Sequence, residues 1–225
     1  MNSDRPSHLF SPDRHGLLQW ILILVCCGAG YGFSLGLWRS PLMGVFTAIK
    51  FPLLLLLVLV GNAGLNSMTA ALMGVPLGFR QALQILLCCF AVFTMVLAAC
   101  VPVFVFFTFS LGSADPEKVS SFYEGMVLMH VGLIALAGCA SHLRLFSTVV
   151  VLSGDVLKAR KLMICWLSAN LLFGAQLSWN LRPFFGAPHA PVAFLREDPF
   201  ERNFFEVVYT MAKSKTETLL PKELP

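Results

Sequence analysis

The chain has 225 residues, 57% hydrophobic and only 12% charged, with a mean hydropathy of +0.76 and a formal net charge of +4. A soluble domain carries roughly 25% charged residues. A water-soluble fold of this composition would leave too much apolar surface uncovered, so lipid is the expected solvent for most of the chain. The modest positive charge is scattered at the ends of apolar runs, which excludes a nucleic-acid surface and reads as topology-determining charge.

A polar head, residues 1–16, precedes the first apolar run, Leu17 to Trp38. As a helix that run would be about 33 Å long, too long for the apolar core of a secretory signal, and it reads as a retained membrane anchor. Gly28, Gly32 and Gly36 form two small-xxx-small pairs, with Gly30 between them, and predict close approach of a neighbouring helix. The second span is expected from Lys50 to Leu72, with Pro52 in its first turn and the preceding "PLMGVFTAI" as a short interfacial helix. The third run, Gln81 to Leu111, exceeds one perpendicular crossing of about 30 Å. Pro102 should kink or end it.

After the polar loop "GSADPEKVSS" the fourth run extends from Phe122 to about Leu145, where His142 and Arg144 interrupt it. Either one long helix projects from the membrane here, or residues 142–158 re-enter and make a sixth span. The fifth run, Leu162 to Leu181, ends in "SWNLRPFFGAP". The expected fold is therefore an all-α integral membrane bundle of five transmembrane helices over 17–181, followed by a tail over 182–225. In that tail Asp198, Pro199 and Glu201 read as the start of an amphipathic interfacial helix over 199–213, with Phe200, Phe204, Val207, Val208 and Met211 on its apolar face. For five spans, the N-terminal head and the loops holding Arg80, Arg144, Lys158, Arg160 and Lys161 share one side, against Arg39, Lys50 and Lys118 on the other. The positive-inside rule then puts the N-terminus in the cytoplasm of a bacterial inner membrane, although six Lys/Arg in the tail fall on the opposite side.

Polar residues inside spans are costly and often functional. Lys50 is expected to snorkel to the headgroups, with a buried pairing, for instance to Glu124, as the alternative. Asn62 and Asn66 share one helical face and read as hydrogen-bonding glue to a neighbouring helix. His130, deep in the fourth span, is expected as a neutral imidazole bonded to a carbonyl or an Asn; a proton relay would need carboxylates at its depth, and no span holds one at mid-depth. Asn170, Gln176 and Asn180 suggest that the fifth span is central in the bundle. At the exit motif, Trp179 belongs in the interfacial aromatic belt, Arg182 among phosphates or helix-end carbonyls, and Pro183 ends the helix, with Phe184 and Phe185 at the interface. The sharper alternative at this place is a lipid-headgroup phosphate site at Arg182. The seven cysteines all lie in apolar runs without metal-ligand spacing, so neither a disulfide framework nor a metal site is expected. Nucleotide-binding and hydrolase signatures are absent, and no cofactor is implied.

The stretch from residue 50 to 103, with Pro52, Gly74, Phe79, Gln81, Ala82 and Leu83, resembles the core of Yip1-type membrane proteins. In these a Pro-headed span leads through a short Gly-containing loop to "FxQAL" and a second long span. The closing "WNLRPFFG" and the tail lie outside that pattern and suggest a separate bacterial five-span family. The resemblance implies a helical bundle without catalytic residues, acting as a scaffold or membrane organiser. Its partners would be membrane lipids and another membrane protein or a second copy. A small transporter or channel subunit is the alternative, and it requires Asn62, Asn66, His130, Asn170 and Gln176 to converge. An enzyme acting on lipids, with Glu124 or His189 beside Arg182, is the third reading.

Overall fold

The computed structural model describes residues 14–110, 116–186, 191–196, 200, 203 and 205–206, with only the backbone described for 14–15, 116–122 and 124. Among these residues the regular structure is all helix: α1 (Arg14–Leu37), α2 (Pro41–Leu72), α3 (Phe79–Ala99), α4 (Val101–Ser110), α5 (Pro116–Ser153) and α6 (Val156–Asn180). Taking α3 and α4 together, five segments are long and apolar enough to cross a bilayer. The chain is a multi-pass integral membrane protein. In hydrocarbon only a helix satisfies its own backbone, which is why the β-branched and aromatic "VFVFFTF" of α4 is helical.

Two boundaries differ from expectation. The second span starts at Pro41, and "PLMGVFTAI" is its first part, not a separate helix. Ser40 is extended and its hydroxyl accepts from the Met43 N–H at 3.1 Å, with Pro41 at the first helical position. That is a complete N-terminal signal, whereas Phe51 before Pro52 offers no capping oxygen. Pro52 therefore lies inside the helix, where its ring faces Gly28 of α1. The second difference is in α6, which begins at Val156 because the Asp155 carboxylate accepts from the Leu157 N–H at 2.8 Å. Gly154, at φ +66, makes the turn before it.

Pro102 acts as expected: the third run breaks at Cys100 and resumes as α4. The fourth run passes through His142 and Arg144 without interruption as one helix of 38 residues. At about 57 Å it outruns the hydrocarbon core of roughly 30 Å, so the projecting-helix alternative holds, and residues 142–158 add no sixth span among the described residues.

Helices α1, α2 and α3 form the inner group. Alternate crossings define two ends of the bundle. The Arg80 end holds the α2–α3 and α5–α6 connections, and the Arg39 end holds the α1–α2 turn and the exit from α6. Gly32 and Gly36 let α1 approach α2 so closely that a Cβ would stand 2.5 Å from the carbonyl oxygens of Thr47 and Met43, respectively. Gly30 faces open space. Helix α5 packs on α3, and α6 packs on α2 and α5. The fifth span is thus peripheral and not central: 17% of its most apolar window is buried in the bundle, against 50% for α2. Its polar residues therefore do not signal a central position.

Candidate functional site at the mouth of the bundle

At the Arg39 end the chain leaves α6 through Leu181, Arg182, Pro183, Phe184, Phe185 and Gly186, and this exit segment folds back over the ends of α1 and α2. Four of its peptide carbonyls accept from side chains of the inner helices. Lys50 Nζ donates to Pro183 O at 2.6 Å and Leu181 O at 3.3 Å. Thr47 Oγ1 stands 2.9 Å from both Met43 O and Phe184 O and shares its one proton between them, and Trp38 Nε1 donates to Phe185 O at 2.8 Å. Thr47 and Lys50 lie three residues apart on one face of α2, so a single helix face meets the segment.

Lys50 is fully buried. It sits nine residues on from Pro41, about 14 Å along the helix axis, and does not snorkel. Its buried partners are backbone carbonyls, and no described carboxylate is among them. The rings of Phe184 and Phe194 stand 5.6 and 5.1 Å from Nζ, within reach of the attraction between a cation and an aromatic face. Phe194 also packs edge-on against Phe46 at 5.4 Å. The exit segment and residues 191–196 therefore meet at this lysine.

Phe184 and Phe185 turn inward against the main apolar core instead of lying flat at the interface. The Phe185 ring meets His130 at 5.0 Å, and His130 is stacked on Phe104 at 3.9 Å. His130 Nδ1 lies 2.6 Å from Met126 O. A carbonyl only accepts, so Nδ1 carries a proton, and the expected bond to a backbone carbonyl is present. Its Nε2 and the hydroxyl of neighbouring Tyr31 have no partner among the described residues. Arg182 faces the other way. Its guanidinium lies 3.6 Å over the Trp179 ring and Nη1 donates to Trp179 O at 3.2 Å, while Nε has no described partner. Burial first, and the nearby charge of Arg196 second, hold its pKa below the usual arginine value.

The amides form a second group. Trp166 Nε1 donates to Thr69 Oγ1 at 2.9 Å, and Phe173 faces Gly61, which fixes the antiparallel register of α6 on α2. In that register Asn170 falls between the levels of Asn62 and Asn66, and it shares a helical face with Trp166 and Phe173. Asn62 and Asn66 are fully buried, and both polar atoms of all three amides lack a partner among the described residues. The interhelical bonds expected of Asn62 and Asn66 are thus not formed. Gln176 Nε2 donates along its own helix to Asn180 Oδ1 at 3.1 Å. His130 is tied to the aromatic cluster near the mouth, so the five polar residues do not converge.

Of the expected tail helix, Phe200 is exposed, while Phe204, Val207, Val208 and Met211 lie outside the described residues, as do Asp198, Pro199 and Glu201. The capping exchange seen here is further on: Glu206 N–H donates to Asn203 Oδ1 at 2.8 Å and Asn203 N–H to Glu206 Oε2 at 3.2 Å. Sequence reasoning missed Trp38, Thr47, Phe194 and Arg196 as parts of the mouth. Nothing in their spacing pairs them with residues more than a hundred positions away.

No family profile, curated protein or solved structure matches this chain. Its geometry is therefore the ground for a functional reading.

Proposed function

We propose that the chain is a non-enzymatic multi-pass subunit that binds a partner inside the membrane and acts as a scaffold, in line with its Yip1-type resemblance. In this reading it resides in a bacterial inner membrane with its N-terminus in the cytoplasm. The observation that supports this is the mismatch in α6. A helix facing lipid on most of its surface should be the most apolar of the set. Instead α6 is the least apolar of the five spans and also the least covered by its own bundle. Ile164, Leu167, Leu171 and Leu172 are exposed along it, beside an exposed Ser168. In lipid such a face is completed by another helix, from a second copy or a different protein.

Photo-crosslinking groups at Ile164, Leu167 and Leu171 test this in intact membranes. They should capture protein, while the same groups at Leu53 and Leu57, exposed on α2, should capture lipid. Capture of lipid alone at both faces refutes the reading.

A second reading, a small transporter or channel subunit, draws on the amides of Asn62, Asn66 and Asn170, which have no partner among the described residues. It requires water to reach them. Loss of any solute flux on replacing Asn66 would favour it, and dry amides would end it.

A further inference from the structure

Helix α6 carries two stripes on opposite sides. The inner one holds Ala159, Leu162, Met163 and Trp166, all buried against the bundle. The outer one starts at Leu157 and steps by four and three residues in alternation through Lys161, Ile164, Ser168, Leu171 and Ala175. Leu157, Ile164 and Leu171 are 60, 59 and 63% exposed, Lys161 and Ser168 are exposed as well, and Ala175 is half-buried. At about 100° per residue, Ser168 stands about 160° round the helix from Trp166, so the outer stripe faces away from the protein's own core. Its repeat is that of two helices held together as a left-handed pair. Contact with lipid imposes no such period.

Ser168 adds an observation of a different kind. Among the helical serines and threonines whose side chains are described, all the others donate to a carbonyl of their own helix. The Ser168 hydroxyl has no hydrogen bond among the described residues, yet it is exposed about 18 Å along the axis from Val156, in mid-span. A hydroxyl at that depth is stabilised by a polar partner on a neighbouring helix.

Resting on the reading of α6 as the partner-binding helix, we propose that the partner is a second copy of this chain. The two copies dock through a parallel α6–α6 pair along Leu157, Ile164, Ser168, Leu171 and Ala175, about a two-fold axis normal to the membrane. Chains inserted the same way can pair α6 only in parallel, and in register each residue then meets its own counterpart. Serine suits that position, because one hydroxyl donates while its counterpart accepts. Ser168 and Ala175 make the close layers, and Ile164 and Leu171 fill the layers beside them. Charge agrees with self-pairing. Residues 162–181 carry none, so two copies meet no like charge inside the bilayer. Lys161 falls at the Arg80 end, where its stem reaches the headgroups, and a lysine at one seam position restricts the pair to a single register.

Single cysteines along α6 of the full-length chain, with its seven natural cysteines replaced by alanine, test this by oxidation in intact membranes. Ile164→Cys, Ser168→Cys, Leu171→Cys and Ala175→Cys should each give disulfide-linked dimer at least about fivefold above Ala169→Cys, which stands about 100° round the helix from Ser168. Equal yields all round the helix are those of random collision and overturn the proposal. Photo-crosslinking from Ile164 separates this inference from the reading beneath it. Capture of a different protein and no second copy overturns the self-pairing and leaves the partner-binding reading standing. Capture of the molecule's own tail, or of lipid alone, overturns both. If the cysteine-free chain does not fold, two differently tagged wild-type copies, co-expressed and gently solubilised, give a second measure. Each tag should retain the other. Ser168→Phe should cut that retention about tenfold, whereas Leu57→Phe, on an exposed face of α2, should leave it unchanged. No retention in wild type, or retention untouched by Ser168→Phe, overturns the proposal.

Discussion

Replacing Lys50 with methionine separates its role in folding from its role in holding the exit segment. The 2.6 Å bond to Pro183 O is a charge-assisted hydrogen bond worth about 2 kcal/mol, and the 3.3 Å bond to Leu181 O is worth less than about 1 kcal/mol. Contacts with Phe184 and Phe194 at 5.6 and 5.1 Å add about 0.5 kcal/mol each. Roughly 3 kcal/mol of closing free energy is lost with Nζ. Opposing this, burying an ammonium costs several kcal/mol, and methionine avoids that cost. The two effects act on different equilibria. Lys50 stays inside the bilayer on α2 whether the segment is open or closed, so its desolvation cost is common to both and drops out of the opening equilibrium. Global stability should therefore change by no more than about 2 kcal/mol in either direction, while segment opening rises about a hundredfold. Hydrogen exchange at residues 184–186 of the protein in lipid discs measures the second quantity, and thermal unfolding the first. Exchange in Lys50→Met that stays within about twofold of wild type would show that the lysine does not hold the segment.

Two further substitutions test the packing. Gly32→Ala places a methyl group 2.5 Å from Thr47 O and must push α1 away from α2, at a cost of about 1–3 kcal/mol. Gly30→Ala meets no atom within 4 Å and should be neutral or stabilising by up to about 1 kcal/mol. Paired melting curves decide it, and equal effects would remove the close-approach account of α1. Asn66→Leu should raise stability by about 1–2 kcal/mol in lipid discs, because a buried amide without partners is replaced by a group that needs none. A clear loss of stability would mean that water or a solute satisfies the amide, which would favour the transport reading.

The division between what the sequence discloses and what it hides follows the range of the interactions. Span number, the break at Pro102 and the end of α6 before Pro183 are local: length, hydropathy and the missing proline N–H settle them within a few residues. The same local rule misplaces the start of α2, because two prolines, Pro41 and Pro52, both fit a first turn. Only the Ser40 cap, which lies outside the apolar run, decides between them. Asn170 and Gln176 mislead for a different reason. Polar content shows that a helix must hide one face, yet not whether its own bundle, a neighbouring chain or a mutual bond such as Gln176 to Asn180 hides it. At the mouth the gap is widest. Lys50, read alone, has the long stem of a snorkelling lysine, and its headgroup ends instead on carbonyls more than 130 positions later in the chain. The folded-back segment carries to Lys50 the polar surroundings that snorkelling would otherwise seek at the membrane surface. That substitution turns a short exit motif into the closure of the bundle, with the carbonyls of residues 181, 183, 184 and 185 held from beneath by Lys50, Thr47 and Trp38.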